Sequence, residues 1–298
     1  MQLTLLIFLV IGFFLQKTLS IKTQKSLSLF LNRFIIYLSL PSLVLYYLKD
    51  ITLSFAFYIP LFTAWGVFLV VALALFVLYK AFNLSKELTA ALIMLLGFGN
   101  TSFLGIPFTK AFFNEEAVKF AIIYDQLGSF LILNLFGLLI ISWAVNKKEP
   151  LFKKIFKIIT FPSFLALIFV FIFKEFNYPS FIKELTYFFA TLLAPAALLF
   201  IGLSLKLYVI KEERLFLFLV LLFKLMVIPL IVFAIFKILN LNSLAAKVSI
   251  FESAMAPMIT AAVVAIGSNL KPKFIATTLG YGIVISFFTL PIVYAVIS

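Results

Sequence analysis

Gly97–Pro107 reads G-F-G-N-T-S-F-L-G-I-P, and it lies in the middle of an apolar run from Thr89 to Phe113. The flanks call for a membrane helix, and the centre breaks it. Gly and Pro weaken or remove helical hydrogen bonds. Asn100, Thr101 and Ser102 carry side chains able to cap the ends so formed. Interrupted backbone at membrane depth is tolerated only where protein buries it or where it lines a wet cavity. A plain proline kink with glycines packed on a neighbour is the alternative, but it needs no Asn-Thr-Ser cluster.

A second stretch has the same character. Glu252–Ala262 reads E-S-A-M-A-P-M-I-T-A-A, and it places a carboxylate and a hydroxyl just before a proline, again in mid-span. Where two spans are interrupted near the midplane, half-helix amino ends point at an anion and freed carbonyls face a cation. These paired breaks are the strongest functional signal in the chain. They nominate Asn100, Thr101, Ser102, Gly105, Pro107, Ser253 and Pro257 as substrate-binding residues.

The remainder of the chain agrees on the solvent. Of 298 residues, 65% are hydrophobic and 12% charged, and the mean hydropathy is +1.23. A soluble domain would be about half apolar with about a quarter of its residues charged. Lipid must take up the surplus, and in lipid only helices or closed barrels satisfy the backbone. The apolar runs are continuous rather than alternating, so helices are expected. The chain has no Cys and no His. That excludes disulfides, thiolate and common zinc sites, Cys nucleophiles, Ser-His triads and histidine pH sensing. No metal or cofactor is expected beyond a coupling proton or sodium ion. The net charge of +13 would suit nucleic acid. The lysines sit between apolar runs, however, where they orient helices and meet anionic headgroups of the bilayer, so no nucleic-acid partner is expected.

At ~20 residues per crossing, the apolar runs define ten spans: Gln2–Gln16, Leu29–Leu48, Leu53–Tyr79, Thr89–Phe113, Ala117–Val145, Phe161–Phe176, Leu185–Leu205, Leu215–Leu239, Leu244–Ile266 and Phe274–Ile297. Met1–Leu15 is apolar with no basic residue before it, while Lys17, Lys22 and Lys25 follow. That order favours an uncleaved first helix with its amino terminus outside. With both termini outside, cytoplasmic loops hold sixteen Lys and Arg and external loops seven, as the positive-inside rule requires. The most basic loop, Asn146–Lys157, divides the chain into residues 1–145 and 159–298, with 146–158 between them. Five helices per half make any repeat inverted. Pro41 and Pro195 are 154 residues apart and Pro107 and Pro257 are 150 apart, which supports such a repeat.

Three ionisable residues fall inside spans. Asp125 and Glu252 each lie ~12 Å along their helices and Lys224 ~14 Å, at 1.5 Å per residue. A charge at that depth is functional by default. Asp125 and Glu252 are candidates for ion coupling, and Lys224 for the substrate anion. Lys224 could instead snorkel or pair with a carboxylate, and Asp125 could lie nearer the interface. The forty Phe residues, spread over all spans, read as lipid-facing or packing surface.

The run G-N-T-S-F-L-G-I-P, Gly99–Pro107, resembles the signature of the auxin efflux carrier family, within the superfamily of bile-acid and arsenite transporters. The likeness extends over the chain. Asn32–Leu48 with Pro41, Leu193–Leu205, Lys224 ahead of Pro229, and A-M-A-P at Ala254–Pro257 look like family features in the right order. The resemblance implies an all-α polytopic protein of ten transmembrane helices in two inverted five-helix repeats. Helices one, two, six and seven would form a scaffold, often the dimer surface. Helices three to five and eight to ten would form a transport domain in which interrupted helices four and nine cross. It implies a small organic anion as substrate, a malate-like carboxylate or an auxin-like acid, and carries site roles onto Asn100, Pro107 and Pro257. The loop at Asn146–Lys157 is shorter than in some plant members. Nothing marks an indole pocket, so auxin itself is not expected.

The expected function is therefore secondary transport across the plasma membrane by alternating access, as a homodimer. A membrane enzyme is not expected. An intramembrane aspartyl protease needs two Asp within spans, and the chain has only Asp50 and Asp125, with Asp50 at a helix end. The alternative is a non-transporting sensor or a channel on the same fold. A channel would show a repeated pore motif or rings of charge, and none is visible.

Overall fold

The computed structural model describes residues 2–49, 54–146, 156, 158–173, 179–208 and 213–298, with side chains from Leu6 onward. Asp50, most of the basic loop (Lys147, Lys148, Lys153, Lys154 and Lys157), Lys174 and Lys211 lie outside the described residues, as does the end of the expected sixth span. Among the described residues the chain is helical, with one isolated β-bridge and no strand. In order the helices are α1 (Gln2–Thr18), α2 (Ile21–Leu48), α3 (Phe55–Ala81), α4 (Lys86–Leu96) and α5 (residues 101–112). Then come α6 (Val118–Val145), α7 (Pro162–Ile172), α8 (Ser180–Ser204), α9 (Arg214–Ile238), α10 (Leu244–Ser253), α11 (Ile259–Gly267) and α12 (Pro272–Ile297). Six of these, α2, α3, α6, α8, α9 and α12, are long and apolar enough to cross a membrane. Both α1 and α7 are shorter apolar helices.

Helices start earlier than the apolar runs suggest. α2 begins at Ile21 rather than Leu29, because the Ser20 side chain accepts from the Thr23 N–H at 3.2 Å and caps a polar first turn. Likewise α8 begins at Ser180 rather than Leu185. Serine caps also open α4 and α10, where Ser85 accepts from Leu88 N (3.1 Å) and Ser243 from Ala246 N (3.3 Å). Asparagines close other helices in the left-handed conformation: Asn83 (φ 49°), Asn146 (φ 55°) and Asn240 (φ 54°), a geometry Asn tolerates better than most residues.

Prolines inside three helices share one local solution. A π-turn at Ile35–Ser39 precedes Pro41, one at Thr101–Gly105 precedes Pro107, and one at Phe223–Val227 precedes Pro229. A helical proline ring collides with the carbonyl four residues back and leaves it without a donor. Widening the preceding turn by one residue relieves the collision. By contrast, Pro291 sits inside α12 without such a turn.

The chain divides into two compact units. Unit 1 holds residues 1–53, 102–122 and 156–205, and unit 2 holds residues 54–101, 123–155 and 206–298. In unit 1, α1 crosses the second half of α8 at bare backbone. A Cβ on Gly12 would lie 2.4 Å from the Leu199 oxygen, and one on Gly202 would lie 2.3 Å from the Leu9 oxygen, so small residues set this crossing. Also in unit 1, Lys110 Nζ lies 2.8 Å from Glu115 Oε1 and donates to Tyr47 Oη at 3.0 Å. The Tyr47 hydroxyl donates to Glu115, and the Lys110 ammonium stands 5.5 Å from the Tyr187 ring centre. Partial burial raises the Glu115 pKa, but the hydrogen bonds from Lys110 and Tyr47 and the Lys110 charge outweigh it and hold the carboxyl below its ordinary value. The cluster joins the end of α5 to α2 and α8. In unit 2, residues 89–95 of α4 are buried on every side among Phe68, Phe98, Leu133, Ala262 and Phe274. A helix apolar all round belongs in such a core.

Candidate functional site

Two helices of unit 2 stop in mid-course. α4 ends at Leu96, with the Gly97 N–H still donating to Ile93 O at 2.8 Å, and residues 97–100 leave the helix. α10 ends at Ser253, and residues 254–258 are irregular before α11. The two gaps meet. Asn100 N donates to Ala256 O at 2.8 Å and Met258 N donates to Phe98 O at 3.2 Å, an antiparallel bridge centred on Gly99 and Pro257. Each break exposes backbone groups that have no water to bond to in hydrocarbon. Here each break supplies the other's missing partners. The carboxyl ends of α4 and α10 and the amino end of α11 thus converge, bringing negative and positive helix-end charge to one point.

Glycine makes the crossing possible. A Cβ on Gly99 would lie 3.3 Å from Glu252 O, 3.4 Å from Met255 Cβ and 3.6 Å from Lys224 Nζ. A Cβ on Gly282 of α12 would lie 2.7 Å from Pro257 Cδ, so α12 supports the second break from behind. The sequence reading included Gly99 in its quoted stretch without assigning it a role. Gly282 carried no signal, because the ring it must clear is 25 residues away in the chain.

Buried polar groups ring the crossing. Lys224, 1% exposed, projects from the π-turn of α9, and its Nζ donates to Ser253 O at 3.5 Å. Of the alternatives open to it, snorkelling is excluded by its burial, and its Nζ reaches a helix-end carbonyl. Asp125 and Gln126 are buried in a further π-turn, Tyr124–Phe130 of α6. Thr101 Oγ1 donates to Asp125 Oδ1 at 2.5 Å, and Gln126 Nε2 donates to Asp125 Oδ2 at 2.7 Å. Asp125 is fully buried within the protein. Glu252 and Ser253 are also fully buried, and the Ser253 hydroxyl donates back to Ile250 O at 2.6 Å. The side chain of Asn100, 1% exposed, has no hydrogen-bond partner for its Nδ2 among the described residues. A buried donor left this way costs about 1–3 kcal/mol.

The structure thus brings seven of the ten nominated residues together in unit 2: Asn100, Thr101, Asp125, Lys224, Glu252, Ser253 and Pro257. The other three, Ser102, Gly105 and Pro107, lie on α5 in unit 1. There Ser102 is half-buried and Gly105 and Pro107 are buried. Sequence reasoning assigned no role to Gln126, although it stands beside Asp125 in an apolar run. Among the described residues, no three acidic side chains are grouped to hold a metal.

Comparison with known proteins identifies the family. Residues 2–294 match the model of a family described as membrane transport protein. The chain is also similar to an uncharacterized transporter of Methanocaldococcus jannaschii, 27% identical over 286 residues that cover 93% of this chain and 91% of that protein. The chain belongs to the membrane transport protein family, the auxin efflux carrier-like transporters, and is a multi-pass membrane transporter.

Proposed function

We propose that this protein is a secondary carrier that moves a small organic anion, a malate-like carboxylate or an auxin-like acid, across the plasma membrane by alternating access. The observation that carries the reading is the crossing of two broken helices at Gly99 and Pro257, with a buried lysine and, beside it, the buried Asn100 Nδ2 that has no partner among the described residues. The amino end of α11, Lys224 and the Asn100 amide present positive charge and a donor to an anion. Carbonyls at the ends of α4 and α10, with Glu252 and Asp125, suit a proton or a sodium ion. Ser102, Gly105 and Pro107, on α5, belong to the proposed substrate-binding set.

The ten-span, inverted-repeat topology with both termini outside is part of this reading. So is a scaffold of the first, second, sixth and seventh spans serving a homodimer. Support comes from unit 1, which collects those four spans, though it also takes in residues 102–122. The remaining spans would move as the transport domain. The test is counterflow in proteoliposomes loaded with organic anions, with and without pH and sodium gradients. Saturable exchange of labelled anion supports the carrier. Non-saturating flux identifies a channel, and binding without flux identifies a sensor.

A further inference from the structure

On unit 2, α3 and α9 border a groove of about 390 Å³, within the range of about 300–1,000 Å³ common for ligand pockets. Its walls are apolar: Phe62, Val67 and Val70 from α3, and Ile231, Ile235 and Phe236 from α9. Both helices are long and apolar enough to span a membrane, and Phe62, Val70, Ile231 and Ile235 are exposed at the rim, so the groove opens toward hydrocarbon. Its wall includes Gly66. A glycine inside an exposed helix weakens that helix relative to alanine; at Gly128 of α6 such a cost has a visible cause, whereas Gly66, like Gly267 at the very end of α11, has none. A Cβ on Gly128 would lie 2.4 Å from Ala64 Cβ. A Cβ on Gly66 would meet nothing within 4 Å. Among the described residues, no atom comes near the space that the missing side chain leaves.

The groove ends at charge. An adjoining cavity of about 410 Å³ shares Phe236 and Leu241 with it and is lined by Lys237, Asn240, Asn242 and Lys247. Lys237 is exposed and Lys247 half-buried. Neither meets an Asp or Glu side chain among the described residues, and Lys247 Nζ donates to the Ser298 backbone oxygen at 2.8 Å. In the proposed topology these two lysines stand on the outer side, against the positive-inside bias.

We propose that this surface holds one anionic phospholipid, with an acyl chain along the α3–α9 groove and the phosphate between Lys237 and Lys247. A soluble anion would need the lysines but not the groove. A helix of a second copy would need the groove but not the lysines. A charged lipid uses both.

Native mass spectrometry of delipidated protein tests this, with phosphatidylglycerol and phosphatidylcholine of identical chains offered in competition. Each lysine near an anionic headgroup is worth roughly a factor of five. Wild type should therefore retain one phosphatidylglycerol with roughly 25-fold preference. The Lys237→Gln/Lys247→Gln variant should keep binding lipid with the preference gone. Gly66→Leu should lose both lipids while its lipid-free melting temperature in detergent stays at or above that of wild type, which separates groove filling from misfolding. Equal retention of the two lipids by wild type, or unchanged retention by Gly66→Leu, overturns the proposal. So does full competition by inorganic phosphate, or a change of oligomeric state in Gly66→Leu. None of these readouts depends on transport, so the proposal stands or falls apart from the carrier reading.

Discussion

Asn100 divides its work between backbone and side chain. Its N–H holds the crossing through Ala256 O, whereas its Nδ2 bonds nothing among the described residues. Truncation should therefore spare the fold and remove a ligand contact. We expect Asn100→Ala to lower substrate uptake by about tenfold or more, the worth of one good hydrogen bond to a charged group, with melting temperature unchanged or raised. Wild-type uptake kinetics in that variant would remove Asn100 from the site. Glu252→Gln keeps the shape but cannot ionise, so the pH or sodium dependence of transport should change; an identical dependence would clear Glu252 of coupling. Glu115 is a different case, half-exposed and outside the spans. Its folded pKa is lowered, so its contribution is present above the ordinary carboxylate range and is lost as pH falls through the folded value. Unfolding of wild type in detergent should be sensitised to acid in that lower window, and Glu115→Gln should remove the sensitivity. Because the pair is solvent-exposed, the effect should stay within about 1 kcal/mol.

At the scale of elements, the two breaks depend on glycines that clear a neighbour. Gly99→Ala brings a methyl to 3.3 Å from Glu252 O, and Gly282→Ala brings one to 2.7 Å from the Pro257 ring. Overpacking of this kind costs about 1–3 kcal/mol. We expect Gly282→Ala to lower the melting temperature and Gly99→Ala to impair transport more than stability, because its neighbours are Lys224 and Met255 at the crossing itself. Equal transport by both variants and wild type would show that the crossing tolerates a wider gap. The breaks themselves were legible, since a plain proline kink with packed glycines does not call for the Asn-Thr-Ser cluster beside it. The early starts of α2 and α8 were not, because a serine cap or a polar first turn extends a helix beyond the stripe that hydropathy detects. The π-turns before Pro41, Pro107 and Pro229 were legible only as prolines, and the one at Tyr124–Phe130 carried no such mark. Which turn widens depends on the backbone clash, not on residue type.

For the whole molecule, the absence of Cys makes orientation directly measurable. A single Lys237→Cys should react with an impermeant maleimide on intact cells, and a single Lys206→Cys only after permeabilisation. The reverse pattern would invert the proposed topology while leaving the fold intact. Orientation rests on summed loop charge, a global quantity. Seven of the candidate residues lie in one compact unit, and that grouping too belongs to the folded molecule rather than to any segment of it.

The sequence alone determined the solvent, the all-helical class and the places where helices break. Each of these follows from local free energy: apolar area per residue, backbone hydrogen bonds that lipid cannot replace, and prolines that cannot donate. Only the tertiary structure decided that the two breaks pair through Gly99 and Pro257, that Lys224 meets a helix-end carbonyl, and that Gly66 stands over empty space. Those facts join residues far apart in the chain, and a hydrogen bond or a void exists only once packing has chosen which distant groups become neighbours.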